Sequence, residues 1–156
     1  QPPVLTRGQR FFQDLSVVVG VTHGLALLVL DSAGDAWAGI GIAMYVLSLA
    51  LFLAAIEAAR RVPMTRTFVY DPKCSTILTG GPYRFVRHPI YLSYSLAWSA
   101  APVATHNVFL ALTAVGMISC YLASARAEER ILGSGPRGAE YAAWQQRTWR
   151  VIPFIY

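Results

Sequence analysis

Four apolar runs, separated by short polar stretches, organise the chain: residues 11–30, 37–59, 90–104 and 107–125. No Asp, Glu, Lys or Arg occurs from Ala36 to Ile56, or again from Pro89 to Ala125. A helix of ~20 apolar residues crosses the hydrocarbon core of a bilayer. The pattern therefore predicts an all-α, polytopic membrane protein with about four transmembrane helices in one domain spanning residues 1–156. The third run is short, and Pro102 and the polar Thr105-His106-Asn107 follow it, so the last two spans are expected to form a tight hairpin. Asp14, Thr22 and His23 weaken the first run. Arg7 and Arg10 stand ahead of it, but no small-residue cleavage site near 31–35 makes it a signal peptide, and Gln1-Pro2-Pro3 carries no targeting signal.

The basic residues give the runs an orientation. The 13 Lys and Arg fall before the first run, between the second and third, and after the fourth. The two opposite loops, 31–36 and 102–107, hold none. By the positive-inside rule both termini, the 60–88 loop and any site built there are cytoplasmic. The tail from Arg126 to Tyr156 is expected to be helical around Glu140 to Arg150, before Pro153 stops it. Trp144 and Trp149, among five Arg, suit the headgroup layer.

Composition strengthens this picture. The chain is 55% hydrophobic and only 13% charged, against roughly a quarter charged in soluble domains. A net charge of +5 could accompany nucleic-acid binding, but the basic residues frame the apolar runs instead of forming a binding module, so lipids are the expected partner and nucleic acid is not. Cys74 and Cys120 lie far apart without CxxC company, which gives neither a zinc site nor a disulfide framework.

Chemistry-capable residues gather in two segments, 80–92 and 126–153. In Gly80-Gly81-Pro82-Tyr83-Arg84-Phe85-Val86-Arg87-His88-Pro89-Ile90-Tyr91, the glycines and Pro82 make a turn, and Pro89 starts the third helix with His88 at its N-cap. His88, Tyr91, Ser95 and Trp98 then share one helix face, a plausible ligand wall. The plainer reading is that Arg84 and Arg87 anchor at the interface and His88 only caps. Glu128-Glu129 lies just beyond the fourth run, where carboxylates are costly unless paired or functional. A structural network, Arg126 with Glu129 or Arg130 with Glu140, is its plainer reading. Glu57 is read as structural, beside Arg60 and Arg61. Gly133 to Gly138 spells GxGxxG but follows a membrane helix and contains Pro136, so it is a turn and not a dinucleotide fingerprint. His23 and His106 are isolated and give no metal site.

Taken in order, Gly81-Pro82-Tyr83-Arg84-Phe85-Val86-Arg87-His88-Pro89-Ile90-Tyr91, then Glu128-Glu129-Arg130, then Glu140-Tyr141 and Arg150-Val151-Ile152-Pro153-Phe154-Ile155, resemble the isoprenylcysteine carboxyl methyltransferase family and its phospholipid methyltransferase relatives. The resemblance covers roughly the C-terminal half. It implies an integral membrane methyltransferase that uses S-adenosylmethionine without a Rossmann domain. On that pattern Gly81, Tyr83, His88, Tyr91 and Leu92 line the cofactor, Glu128 and Glu129 hold its ribose or amino groups, and Arg87 and Arg147 position an anionic group of the acceptor. Glu129 or His88 is the base if the acceptor must lose a proton. The family usually has a glycine two residues after the tyrosine, where this chain has Ser93. The implied substrate is lipophilic, a prenylated-cysteine carboxylate or another lipid-like acceptor. An oligomer or larger complex is compatible with the pattern. Two alternatives stand beside it: a sterol-type membrane reductase using NADPH, and a non-catalytic membrane subunit that kept the fold.

Overall fold

The computed structural model describes residues 18, 21–23, 30–60 and 77–154. Among these residues all regular structure is helical. Val18 and Val21 to His23 are helical, and most of the 11–30 run lies outside the described residues. Helix α1 is Asp35–Arg60, α2 is Pro89–Thr105, α3 is Val108–Ser134 and α4 is Gly138–Gln145. A short 3-10 helix, Gly81–Arg84, precedes α2.

Two of these helices, α1 and α3, are long and apolar enough to cross a membrane. Helix α2 has 17 residues, about 25 Å at 1.5 Å per residue, the short end of what spans a bilayer. Ile42, Val46, Leu49 and Leu53 on α1, and Val108, Phe109, Leu112 and Val115 on α3, are exposed. Large side chains thus face outward, while the inward positions of α1 are the small residues Gly41, Ser48, Ala55 and Ala59. Facing them on α2 are Ser93, Ala100 and Ala101.

Small residues let the two backbones approach closely. A Cβ on Gly41 would stand 2.8 Å from Ala104 Cβ and 3.0 Å from Ala100 O. Ser48 Oγ donates to Ser93 O at 2.7 Å across the same seam, and Ser93 Oγ turns back to Ile90 O at 2.7 Å. Ser93 is fully buried, so serine satisfies its hydroxyl locally and still permits the close crossing.

Helices α2 and α3 form the expected tight hairpin. His106 adopts the left-handed conformation at φ 52° and closes α2, its N–H donating to Pro102 O. Asn107 caps α3, its Oδ1 accepting from Leu110 N at 3.1 Å. His106 also packs edge-on against Trp37 at 4.6 Å, and Ala33 N donates to Ala104 O at 2.8 Å. The turn is thereby pinned to the start of α1. The apolar run 107–125 is only part of its helix, because α3 continues to Ser134 and carries Glu128 and Glu129 on a rigid extension. Gly135 to Arg137 then make the turn expected of the glycine-rich segment. The helix expected around Glu140 to Arg150 is instead α4, Gly138–Gln145. The chain after it leaves helical geometry because the backbone of Trp149 and Arg150 pairs with residues 85–88, far away in sequence.

Candidate functional site

Three segments converge at the charged end of the bundle. The first descends from the 3-10 turn into α2. Gly81 has φ +57°, and a Cβ there would come within 2.9 Å of Ala58 Cβ. Glycine is required by the backbone and by α1, before any ligand is considered. Pro89 occupies the first turn of α2 and sets its direction. His88 sits at the N-cap without a side-chain capping bond, leaving its imidazole aimed elsewhere.

The second segment is the extension of α3. Glu129 is 5% exposed and accepts Arg87 Nε on Oε1 at 2.6 Å and Arg150 Nε on Oε2 at 2.7 Å. Glu128, 40% exposed, lies with Oε2 3.4 Å from His88 Nδ1. Its Oε1 accepts the Tyr91 hydroxyl at 2.5 Å. His88 Nε2 stands 3.5 Å from Glu129 Oε1, so the imidazole is lodged between both carboxylates.

The third segment is the tail. An isolated parallel bridge joins Val86 to Trp149. Trp149 N donates to Phe85 O, Arg87 N to Trp149 O and His88 N to Arg150 O, at 3.0, 2.8 and 3.0 Å. Arg87 adds a second tie: its Nη1 donates to Gln145 O at 3.1 Å and to the Thr148 carbonyl. Tyr141 packs at 2% exposure, with the Trp144 ring 5.5 Å away.

The electrostatics follow from these contacts. Residues from Arg126 onward lie beyond the charge-free part of α3. Burial alone would raise the Glu129 pKa, but the nearby His88 imidazole and the hydrogen bonds from Arg87 and Arg150 outweigh it and hold the carboxyl at about 2. Burial likewise opposes a charged His88, yet Glu128 and Glu129 overcome it and raise the imidazole pKa. Burial, with the Glu128 charge adding, pushes Tyr83 up to about 12. It also raises Tyr141, again mainly by desolvation. Among the described residues, the Tyr141 hydroxyl, Trp144 Nε1 and His88 Nε2 are buried without a hydrogen-bond partner.

Of the residues singled out in the sequence, Tyr83, Arg87, His88, Tyr91, Glu128 and Glu129 come together here. Leu92 is half-buried one turn into α2, its N–H bonded to His88 O. Arg87, expected to position an acceptor anion, is 9% exposed and bound to Glu129 and to tail carbonyls. Arg147 is exposed, and Arg150 is the tail arginine that reaches Glu129. The local network expected around Glu129 is replaced by these long-range partners, because Glu129 faces inward while Arg126 lies on the exposed flank of α3. Glu140 pairs with Arg137 at 2.6 Å instead of Arg130. Sequence reasoning did not assign Arg150, Tyr141 and Thr148 to the site. Their signal was the ordered tail itself, Glu140-Tyr141 and Arg150 to Ile155.

The stripe expected on α2 meets α3 through aromatic contacts. His88 stacks on Tyr91 at 5.5 Å, Tyr91 on Tyr121 at 5.7 Å, and Trp98 Nε1 donates to the Tyr121 hydroxyl at 3.0 Å. Ser95 turns back to Tyr91 O on its own helix. The outcome is an acidic, aromatic cluster beside helices with apolar outer faces, of a chemistry suited to a ligand that carries positive charge and polar hydroxyls.

The profile of the phospholipid methyltransferase family matches residues 37–134, which include most of α1 and all of α2 and α3. The chain is 29% identical over 126 residues to the cobalt-zinc-cadmium resistance protein CzcN of Cupriavidus metallidurans, covering 80% of this chain and 57% of that protein. It is 38% identical over 74 residues to methanethiol S-methyltransferase 1 of Bradyrhizobium diazoefficiens, covering 46% of this chain and 24% of that protein. The chain thus spans about half of one relative and a quarter of the other.

Proposed function

The chain belongs to the phospholipid methyltransferase family, and from that premise we propose that it transfers a methyl group from S-adenosylmethionine to a lipophilic acceptor at the cytoplasmic face of a membrane. The observation that carries the reading is the side-chain cluster itself. Two buried donors without partners, Tyr141 OH and Trp144 Nε1, lie in the tail beside a half-exposed carboxylate, Glu128, and a run of stacked aromatic rings. A sulfonium nucleoside with an amino-acid arm carries cationic groups for the carboxylate and acceptor oxygens for the orphaned donors, so these residues fit it.

The cofactor supplies the methyl group on a sulfonium. Glu128 holds its amino or ribose groups, while Tyr91 and His88 fix that carboxylate by hydrogen bond and charge. Glu129, neutralised by Arg87 and Arg150, ties the helix extension to the tail and so sets the walls around the ligand. Gly81 and Tyr83 flank the cluster from the 3-10 turn, and Leu92 supplies an apolar side chain one turn into α2. A carboxylate acceptor needs no base, and alignment and exclusion of water supply the catalysis. A thiol or amine acceptor first loses its proton, and His88 in its neutral form is the candidate base, since Glu129 is already held by Arg87 and Arg150. Arg147, exposed on the tail, is the free-standing candidate to meet an anionic group of the acceptor.

Four spans with both termini and the cluster on the cytoplasmic side complete the proposal. The acceptor enters laterally from lipid and the cofactor from water. The thiol in the name of one relative adds thiols to the acceptor classes worth offering. The test is transfer of labelled methyl from S-adenosylmethionine into a lipid extract, a prenylated-cysteine analogue and a hydrophobic thiol. Incorporation that is lost in Glu128→Gln and His88→Ala supports the assignment. Full incorporation in both variants overturns the site, and no incorporation into any acceptor by a correctly folded protein overturns the activity.

A further inference from the structure

Three large apolar side chains are exposed beyond the charge-free runs, and the proposed methyl transfer uses none of them: Phe85 at 53%, Ile152 at 38% and Phe154 at 84%. Every other exposed large hydrophobic group among the described residues belongs to an apolar run, where lipid covers it. The three come from two segments that the fold joins. Trp149 N donates to Phe85 O at 3.0 Å and Arg87 N to Trp149 O at 2.8 Å, so the tail carrying Ile152 and Phe154 is laced to the stretch carrying Phe85. Their sequence neighbours Val86 and Val151 are buried inside the protein, while Phe85 and Ile152 stay outside.

The joint has a defined depth. Gly81 abuts Ala58, close to the end of α1 at Arg60, and α2 begins at Pro89. Phe85 therefore stands where two helices pass from apolar to polar sequence, the level of a bilayer at which aromatic rings are favoured. Phe154 adopts φ +66°, a left-handed backbone uncommon for any residue but glycine. Its ring meets Trp149 at 4.6 Å yet remains largely outside, so burial within the chain does not offset that conformation.

The surroundings are basic. Arg84 is exposed, its guanidinium lies 5.0 Å from the centroid of the Phe85 ring, and it meets no carboxylate among the described residues. Arg60, Arg126, Arg130 and Arg147 are exposed at the same end. Against them stand Glu57, the partly exposed Glu128, and Glu140, which Arg137 already neutralises. The excess is positive, and an anionic lipid surface complements it.

We propose that Arg84, Phe85, Ile152 and Phe154 form an interfacial anchor that docks the tail on anionic phospholipid, the apolar side chains entering the headgroup boundary and Arg84 meeting the phosphate. The anchor requires the bundle to lie in a membrane and does not depend on the methyltransferase reading. It gives the tail a second attachment, to lipid, beside the bond of Arg150 to Glu129.

The full chain, carrying para-fluorophenylalanine, is reconstituted in phosphatidylcholine nanodiscs of rising phosphatidylglycerol content and followed by fluorine NMR. The Phe85 and Phe154 signals are assigned by their loss in Phe85→Leu and Phe154→Leu. A doxyl group high on the lipid chain is expected to broaden both signals, and a water-soluble gadolinium chelate to leave them sharp. Both are expected to shift saturably with phosphatidylglycerol. Arg84→Gln, at an exposed position, raises the half-saturating fraction about fivefold, one cation's share of the headgroup attraction. Rings that the chelate broadens and the doxyl lipid leaves untouched overturn the proposal, which is how a surface kept for a protein partner would behave. So do shifts indifferent to phosphatidylglycerol, or an unchanged half-saturating fraction in Arg84→Gln.

Discussion

Arg87 shows how much one side chain is asked to do. It neutralises a buried carboxylate, and it holds two carbonyls of a tail that lies about sixty positions away. Removing it strands Glu129 with half its compensation, so Arg87→Met is expected to lower stability by about 3 kcal/mol, measured by thermal denaturation in detergent. Arg147→Met, at an exposed position, should stay within about 0.5 kcal/mol of wild type, whatever it does to activity. The pH response has a definite sign. The folded His88 pKa is raised above its ordinary value, so its contribution is complete below about 6.5 and is lost as pH rises through the folded value. The stability difference between wild type and His88→Gln should therefore grow as pH falls from 8 to 6. A difference that shrinks over that interval would contradict the ion-pair geometry. Ordered motifs placed His88, Tyr91, Glu128 and Glu129 together. They named Arg147 and passed over Arg150, whose approach to Glu129 depends on a backbone bridge between Val86 and Trp149 that no local periodicity encodes.

At the scale of elements, packing between α1 and α2 rests on small residues at one face of each helix. Gly41→Leu should cost about 1–3 kcal/mol by forcing the crossing apart. Gly39→Leu, where an added Cβ meets nothing within 4 Å, is the control expected to leave stability within about 1 kcal/mol, and equal losses in both would argue against a seam at Gly41. The charge-free runs marked α1 closely, and the polar Thr105-His106-Asn107 marked the hairpin. The same rule stopped α3 too early, at Ala125, because loss of hydropathy was read as loss of helix. The helix continues past the apolar boundary as a charged rod, and that extension is what delivers Glu129 to Arg87. Tail helix α4 was expected too long for the converse reason: helix-compatible residues after Gln145 are diverted into pairing with residues 85–88.

For the whole molecule, the distribution of 13 basic residues makes a topological prediction. In oriented vesicles, with Cys74 and Cys120 changed to Ser, Ser32→Cys should react with an impermeant maleimide from the outside and Ser134→Cys only after permeabilisation. The reverse labelling would invert the protein and place the site on the wrong side for a cytoplasmic cofactor. The functional claim is tested most directly by calorimetric titration of the purified full chain with S-adenosylmethionine and, in parallel, with NADPH. Saturable binding of S-adenosylmethionine, weakened at least tenfold in Glu128→Gln, is expected, with no NADPH binding. Binding of NADPH but not of S-adenosylmethionine, or of neither by folded protein, would contradict it.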